Sequence, residues 1–267
     1  MKVGVSTASL FGRLVNEDTL AEFDRMQIEC AEVFLTSFSE YSKDFGKLLN
    51  ERKKRVDVHS VHVLNTQFEP QLFSSSERVK KDSFEMLGKA MSAAKEFGAK
   101  YYTFHGIARY KKATRSGKND DFALWGRGLK EISDFCENYG IKACLENVEW
   151  SIGNRPEVFE KIAAVYPELL CVLDSKQARI SGYPVEEYIK VLQNRIVHAH
   201  LSDLDENGKI CLPGAGATDF DELLKRLDGA GFDGPLLIEV YKDDYKELAE
   251  IKRSVEFLQE KIYKYSL

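Results

Sequence analysis

The sequence predicts an α/β protein closed into a single (β/α)8 barrel. Three observations carry that prediction. Short β-branched or aromatic runs alternate with longer amphipathic stretches, the alternation repeats eight times, and no stretch reads as an interdomain linker or a low-complexity tail. Strands alternating with helices imply parallel pairing through right-handed crossovers. Eight such units imply closure, with an open doubly wound sheet as the alternative. A chain of 267 residues could be two domains by length, but α/β barrels of this size are commonly one, so residues 1–267 are expected to form one barrel domain.

The strand-like runs, taken in order, are KVGVS (2–6), AEVFLT (31–36), VDVHSVHV (56–63), KYYTFHG (100–106), KACLENV (142–148), LLCVLDS (169–175), RIVHAHLSD (195–203) and GPLLIEVY (234–241). Their β-branched and aromatic content suits a pleated, buried surface. Helical patterns follow each one, at 17–27, 42–53, 76–97, a stretch running to Tyr139, 155–166, 185–193, 221–230 and 244–264. Their punctuation is chemical. Gly98 and Gly140 stop two helices, Ser74 or Ser75 is expected to cap residues 76–97, and Asn154 to cap 155–166 with Pro156 in the first turn. Pro184 introduces residues 185–193, and a glycine-rich loop follows the seventh strand.

Composition excludes several classes. Apolar residues make up 43% and charged residues 30%, with a net charge of −5 and a pI near 5.7. No standing basic field attracts polyanions, so nucleic acid is a disfavoured partner. Five scattered cysteines without a CxxC pair fit a reducing compartment. Arg13, Glu17 and Asp18 interrupt the opening residues, which do not read as a signal peptide, and no uncharged run is long enough to span a bilayer. A soluble cytoplasmic protein is expected. One basic loop, with Arg109, Tyr110, Lys111, Lys112, Arg115 and Lys118, could hold a phosphate or close as a lid; with no aromatic stacking series beside it, a solvated loop is the preferred reading.

Histidine placement is the more specific signal. All five, His59, His62, His105, His198 and His200, fall in predicted strands or at their ends, and three other strands stop on Glu146, Asp174 and Glu239 or close to them. In a (β/α)8 barrel the C-terminal strand ends meet at one face. His62, His105, Glu146, Asp174, His200 and Glu239 would converge there from six strands. Asp174 or Glu239 alone reads equally well as a helix cap or an ion-pair partner. Glu146, after Ala143, Cys144 and Leu145, is costly to bury without a cation or a proton. His198 and His59 lie deeper than His200 and His62 and read as hydrogen-bonded core histidines. Imidazoles and carboxylates without thiolates suit Mn²⁺, Zn²⁺, Co²⁺ or Mg²⁺.

The segments LENVEW, VLDSKQARISG, VHAHLSDLDENGKICLPGAGATDF and GPLLIEVY resemble the xylose isomerase-like TIM barrel superfamily. The resemblance covers the chain in order and is most specific in its second half. That grouping holds sugar and sugar-phosphate isomerases and epimerases, inosose dehydratases, hydroxypyruvate isomerases and apurinic endonucleases. It implies a four-ligand metal site at Glu146, Asp174, His200 and Glu239. Its epimerase branch implies acid and base roles for Glu146 and Glu239. Its endonuclease branch adds His62 and His105 as ligands of a second metal, with Glu146 bridging. The chain departs from the pattern at Gln177, where many members carry histidine, and at Gly214-Ala215-Gly216, where GEG or an aspartate–histidine pair often stands. Ligands for a third metal are therefore missing.

A divalent ion held by a substrate carbonyl and the adjacent hydroxyl acidifies the C–H between them. One glutamate can take that proton and another return it through an enediolate that the ion stabilises. The expectation is a divalent-metal-dependent isomerase or epimerase of a small sugar or polyol, with one ion. The alternative is an endonuclease-like hydrolase of phosphate esters with two, and a third reading is a barrel that binds without turnover. His62, His105 and Gln177 are candidate substrate contacts. So are Trp150, which could stack on a sugar ring or merely cover the mouth, and Lys209, which could neutralise an oxyanion or stand exposed with no role. Homo-oligomerisation is left open.

Overall fold

A computed structural model of the protein describes residues 1–64, 68–108 and 120–265. Eight parallel strands close on themselves: β1 (Lys2–Ser6), β2 (Cys30–Leu35), β3 (Asp57–Val63), β4 (Tyr101–Phe104), β5 (Lys142–Glu146), β6 (Leu170–Asp174), β7 (Ile196–Leu201) and, as the eighth barrel strand, β10 (Pro235–Ile238). Round the ring the order is β1, β10, β7, β6, β5, β4, β3, β2, so the first and last strands pair and complete the closure. The seam aligns Lys2 with Pro235 and Val5 with Ile238. The (β/α)8 TIM barrel expected from the alternation is the fold observed.

The outer helices are α1 (Asn16–Met26), α2 (Lys43–Arg52), α3 (Glu77–Phe97), α4 (Phe122–Glu137), α5 (Pro156–Val165), α6 (Ser175–Ile180), α7 (Val185–Leu192), α8 (Phe220–Gly229) and α9 (Leu248–Tyr265). Side-chain oxygens start several of them by accepting otherwise orphaned backbone N–H groups. Ser42 Oγ accepts from Phe45 N at 3.2 Å, Asp121 from Leu124 N at 2.8 Å and Asp219 from Glu222 N at 3.0 Å. Gly98, at φ 85°, ends α3 in the left-handed region that glycine enters freely.

Two expected caps are replaced by other partners. Asn154 belongs to a 3₁₀ turn (Ile152–Asn154) that Ser151 caps, so α5 starts at Pro156 without a side-chain cap. Ser74 Oγ accepts from Ser76 N at 3.1 Å instead of from the helix, and Ser76 is the N-cap of α3. The last helix begins at Leu248, not at Asp244, because Asp244 Oδ2 accepts from Tyr241 N at 2.8 Å and holds a turn.

Two short elements went unforeseen. Helix α6 follows β6 with no loop between, and a hairpin of β8 (Asp203–Leu204) and β9 (Ile210–Cys211) occupies part of the glycine-rich loop. Buried Asp203 organises the rest of that loop, accepting from the backbone N–H groups of Leu204, Gly214, Gly216 and Thr218 at 2.8 to 3.1 Å. The basic loop residues Arg109, Tyr110, Lys111, Lys112, Arg115 and Lys118 lie outside the described residues.

Strands covered on both faces carry near-continuous apolar runs. Val5, Val33, Leu35, Val61, Phe104, Cys171 and Leu237 have no exposure, and all belong to the barrel wall or its core. Polar side chains inside that wall are exceptions, and they concentrate at one end.

Candidate metal and acid–base site

The interior polar groups begin at Glu32, a fully buried carboxylate halfway along β2. The pairing of β2 with β3 slips there, so that Ala31 faces Val58 while Glu32 faces Ser60, a bulge-like irregularity of the kind that re-aims side chains beside active sites. Three hydroxyls donate to this carboxylate: Ser6 at 3.2 Å, Ser60 at 2.8 Å and Thr103 at 2.6 Å. Three imidazoles surround it as well, with His200 Nε2 at 3.0 Å, His62 Nδ1 at 3.4 Å and His198 Nε2 at 3.4 Å. Burial opposes the charge, but the imidazoles overcome it and hold Glu32 well below the usual carboxylate range. Thr103 spends its proton on Glu32, so at 3.1 Å from His198 Nε2 it accepts, which makes His198 the Nε2–H tautomer. Burial lowers the pKa of His198, consistent with a neutral core histidine.

Above this floor, on the same face of β7, stands His200, two residues from His198 as the strand period requires. Its Nδ1 lies 2.9 Å from Glu146 Oε1, 3.2 Å from Glu239 Oε2 and 4.0 Å from Asp174 Oδ2. Glu146 ends β5, Asp174 ends β6 and Glu239 follows β10, so four strand ends bring these side chains to one point. All four residues are at least nine-tenths buried. Burial alone would discharge His200, but Glu239, Glu32 and Glu146 raise its pKa well above the ordinary value, and in return the His200 hydrogen bond and charge pull Glu146 down to about 2 against its own burial. Asp174 moves the other way, up to about 6, because burial outweighs the nearby Lys176. Its Oδ1 also caps α6, accepting from Gln177 N at 2.8 Å.

A second group adjoins the first. His62 Nε2 and His105 Nε2 are 2.7 Å apart, each 3.9 Å from Glu146 Oε2. Buried Glu69 accepts from His105 Nδ1 at 2.6 Å and from the Tyr102 hydroxyl, fixing the His105 ring. Burial works against a charge on His62, but Glu32, Glu146 and Glu239 push its pKa up to about 9.

A mouth cavity of about 390 Å³ opens over both groups, walled by Phe11, Phe34, Leu64, Val148, Trp150 and Tyr241. The Trp150 ring lies 5.2 Å from the His105 ring. Gln177 reaches the mouth but accepts from Glu149 N at 3.1 Å, which orients its amide. Lys209 does not reach it. It is exposed on the β8–β9 turn, 3.4 Å from the Asp243 carbonyl, because the hairpin carries it outward. A larger cavity of about 720 Å³ lies at the N-terminal ends of β1 and β2, with Lys2, Glu29 and Cys30 among its lining residues and no histidine.

The residues fit a divalent cation. Ligand atoms of Glu146, Asp174 and His200 lie within 4.8 Å of one another, as do those of His62, His105 and Glu146. Glu239 Oε2 and His200 Nε2 are buried without hydrogen-bond partners among the described residues; Nε2 lies 3.0 Å from Glu32, and Nδ1 faces the carboxylates. Such a set of oxygens and one imidazole is hard to borderline in character. Three buried residues of the site were not foreseen: Glu32, Glu69 and Lys176. A lone acid inside the apolar run CAEVFL was the available signal for Glu32; Lys176 and Glu69 had none.

The family model for the xylose isomerase-like TIM barrel matches residues 20–261. The chain belongs to that family. Among the relatives, the uncharacterized protein MJ1311 of Methanocaldococcus jannaschii is 28% identical over 98% of this chain and 92% of its own. Fructoselysine 3-epimerase of Escherichia coli O157:H7 is 27% identical over 61% of each chain, so the match spans less than two thirds of that enzyme. Among solved structures, that of IOLI protein with a binding zinc atom superimposes with a TM-score of 0.77 at 20% identity, covering 99% of both chains. That likeness shows the fold. No helix among the described residues is long and apolar enough to cross a membrane.

Proposed function

We propose that this xylose isomerase-like barrel is a divalent-metal-dependent isomerase or epimerase that moves a proton on a carbon beside a carbonyl in a small sugar or polyol. The observation that carries the reading is the convergence of Glu146, Asp174, Glu239 and His200 Nδ1 from four strand ends. A relative named fructoselysine 3-epimerase supports the reaction class, and the zinc in the IOLI structure supports the cation. Mn²⁺, Zn²⁺, Co²⁺ and Mg²⁺ all suit the ligands. When bound, the ion supplies Lewis acidity to a carbonyl and its neighbouring hydroxyl.

The chain's own residues do the rest. Glu146 and Glu239 project from strands three places apart round the ring, so one can remove a proton and the other deliver one. Glu32 sits 3.0 Å from His200 Nε2, and Nδ1 on the other side of the ring faces the carboxylates. Phe34, Val148 and Trp150 wall the mouth and exclude water, which strengthens every electrostatic contact inside.

The test is metal counting on the protein as purified, together with deuterium exchange into a panel of neutral ketoses, inosose and hydroxypyruvate in D₂O. One ion per chain and exchange at a carbon next to the carbonyl are expected, with exchange lost in Glu146→Gln and Glu239→Gln. The His62, His105 and Glu146 triangle favours a second reading, a two-metal hydrolase of phosphate esters. Two ions per chain with cleavage of bis(p-nitrophenyl) phosphate and no C–H exchange would put that reading in place of the first.

A further inference from the structure

Lys176 is 1% exposed and lines the mouth, in the first turn of α6 directly after Asp174. A lysine this deep ordinarily spends its three N–H donors on carboxylates or carbonyls. This one does not. Its Nζ is 3.5 Å from Glu239 Oε1 and 3.9 Å from Asp174 Oδ2, and 4.4 Å above the Tyr241 ring. Among the described residues no hydrogen bond to Nζ closes at normal length, so the ammonium is held by charge and by the ring face while its donors stay available. Burial opposes its charge, but Asp174 and Glu239 outweigh it and keep the amine protonated, so it can donate to a ligand oxygen.

We propose that Lys176 binds the substrate directly, donating to the oxygen on which negative charge gathers when the C–H proton leaves. The inference rests on the isomerase reading above and adds a residue to it.

The mouth holds charges of both signs. Glu32, Glu146, Asp174 and Glu239 are packed within it or beneath it, and Lys176 is the sole lysine or arginine among its described lining residues. A hydroxy-ketone substrate becomes anionic at its carbonyl oxygen during the step. In that step a glutamate carboxylate takes the proton, the C–H electron pair becomes the new C=C bond, and the carbonyl π pair moves to oxygen. Lys176 donates a hydrogen bond to that oxygen and keeps its own proton. Return of a proton from a glutamate to carbon reverses the electron movement, and no oxidant or reductant is consumed.

The experiment compares wild type with Lys176→Met and Lys176→Arg, all loaded with Mn²⁺, using the hydroxamate of glycolic acid as a planar anionic mimic of the enediolate. Calorimetry measures hydroxamate and Mn²⁺ affinities separately. Lys176→Met is expected to weaken the hydroxamate by about a hundredfold, the scale of one oriented donor at a developing oxyanion, to leave Mn²⁺ binding as tight or tighter, and to cut kcat more than it changes KM on any ketose the wild type turns over. Lys176→Arg keeps the charge and is expected to keep most of the hydroxamate affinity. Lys176→Gln repeats the comparison if the methionine variant does not fold. Unchanged hydroxamate affinity in Lys176→Met, or a parallel loss of Mn²⁺ affinity, overturns the assignment. The two readings fail separately: wild type that binds the hydroxamate through Lys176 yet exchanges no ketose C–H sinks the isomerase reading alone, and equal ketose turnover in wild type and Lys176→Met sinks the lysine alone.

Discussion

Glu32 anchors three imidazoles and three hydroxyls, so its removal should be felt twice. In Glu32→Gln the hydroxyls of Ser60 and Thr103 lose an anionic acceptor and His200 loses the charge facing Nε2. Breaking a buried charged network of this kind costs about 3–5 kcal/mol. A ligand-orienting contact is also worth about 10- to 100-fold in metal affinity. Urea unfolding and Mn²⁺ calorimetry of the variant measure the two separately; unchanged Mn²⁺ affinity would reduce Glu32 to a purely structural group. The residue was legible only in part. Parallel strands buried on both faces should read as unbroken apolar runs, so an acid between Ala31 and Val33 is an inconsistency of the sort that marks a site. Lys176 gave no such warning, because SKQARI reads as an ordinary exposed helix start and its burial comes from Glu239 and Tyr241, far away in sequence.

At the scale of elements, the long pieces were legible and the short ones were not. Eight alternations of period located every barrel strand and its main helix, because each buries a stripe that its own pattern declares. Six-residue α6 is too short to show a period, and the β8–β9 hairpin was signalled only by Asn207-Gly208, a turn-forming pair set among other loop residues. Close helix packing is likewise invisible until the elements meet. A Cβ on Gly46 of α2 would lie 2.3 Å from the Ala93 carbonyl oxygen and 2.9 Å from Glu96 Cβ on α3. Gly46→Ala should force the two helices apart at a cost of about 1–3 kcal/mol, read as a lower urea midpoint, with Mn²⁺ affinity unchanged because the site lies inside the barrel. A midpoint equal to wild type would mean that α2 shifts freely on α3.

At the scale of the whole molecule, part of the dependence of stability on pH follows from a histidine that the site does not use. His59 stacks on Tyr101 at 4.7 Å, and burial lowers its pKa from 6.5 to about 3. The folded protein therefore keeps it neutral where the unfolded chain would protonate it. The unfolded state binds more protons below pH 6.5, so the stability involved is complete above that pH and drains away as the pH falls towards 3. His59→Gln should flatten the slope of unfolding free energy across that window by up to about 1.4 kcal/mol per pH unit, less whatever solvent screens. Denaturant titrations in EDTA at several pH values would show it, and identical slopes would assign the acid sensitivity to other groups.

The seam between the first and last strands of the barrel is stapled above the sheet. Ser9 Oγ donates to the Ile238 carbonyl and accepts from Val240 N, the Tyr245 hydroxyl donates to the Ser9 carbonyl, and the Arg13 guanidinium donates to the carbonyls of Lys242, Tyr245 and Lys246. These contacts bracket Glu239 and depend on segments more than two hundred positions apart, each ordering the other. During synthesis, the carboxylate that would complete the proposed cation pocket emerges last of the four and meets residues made long before it. Loading with that ion would then be an assembly checkpoint, passed only by a polypeptide whose ring has shut.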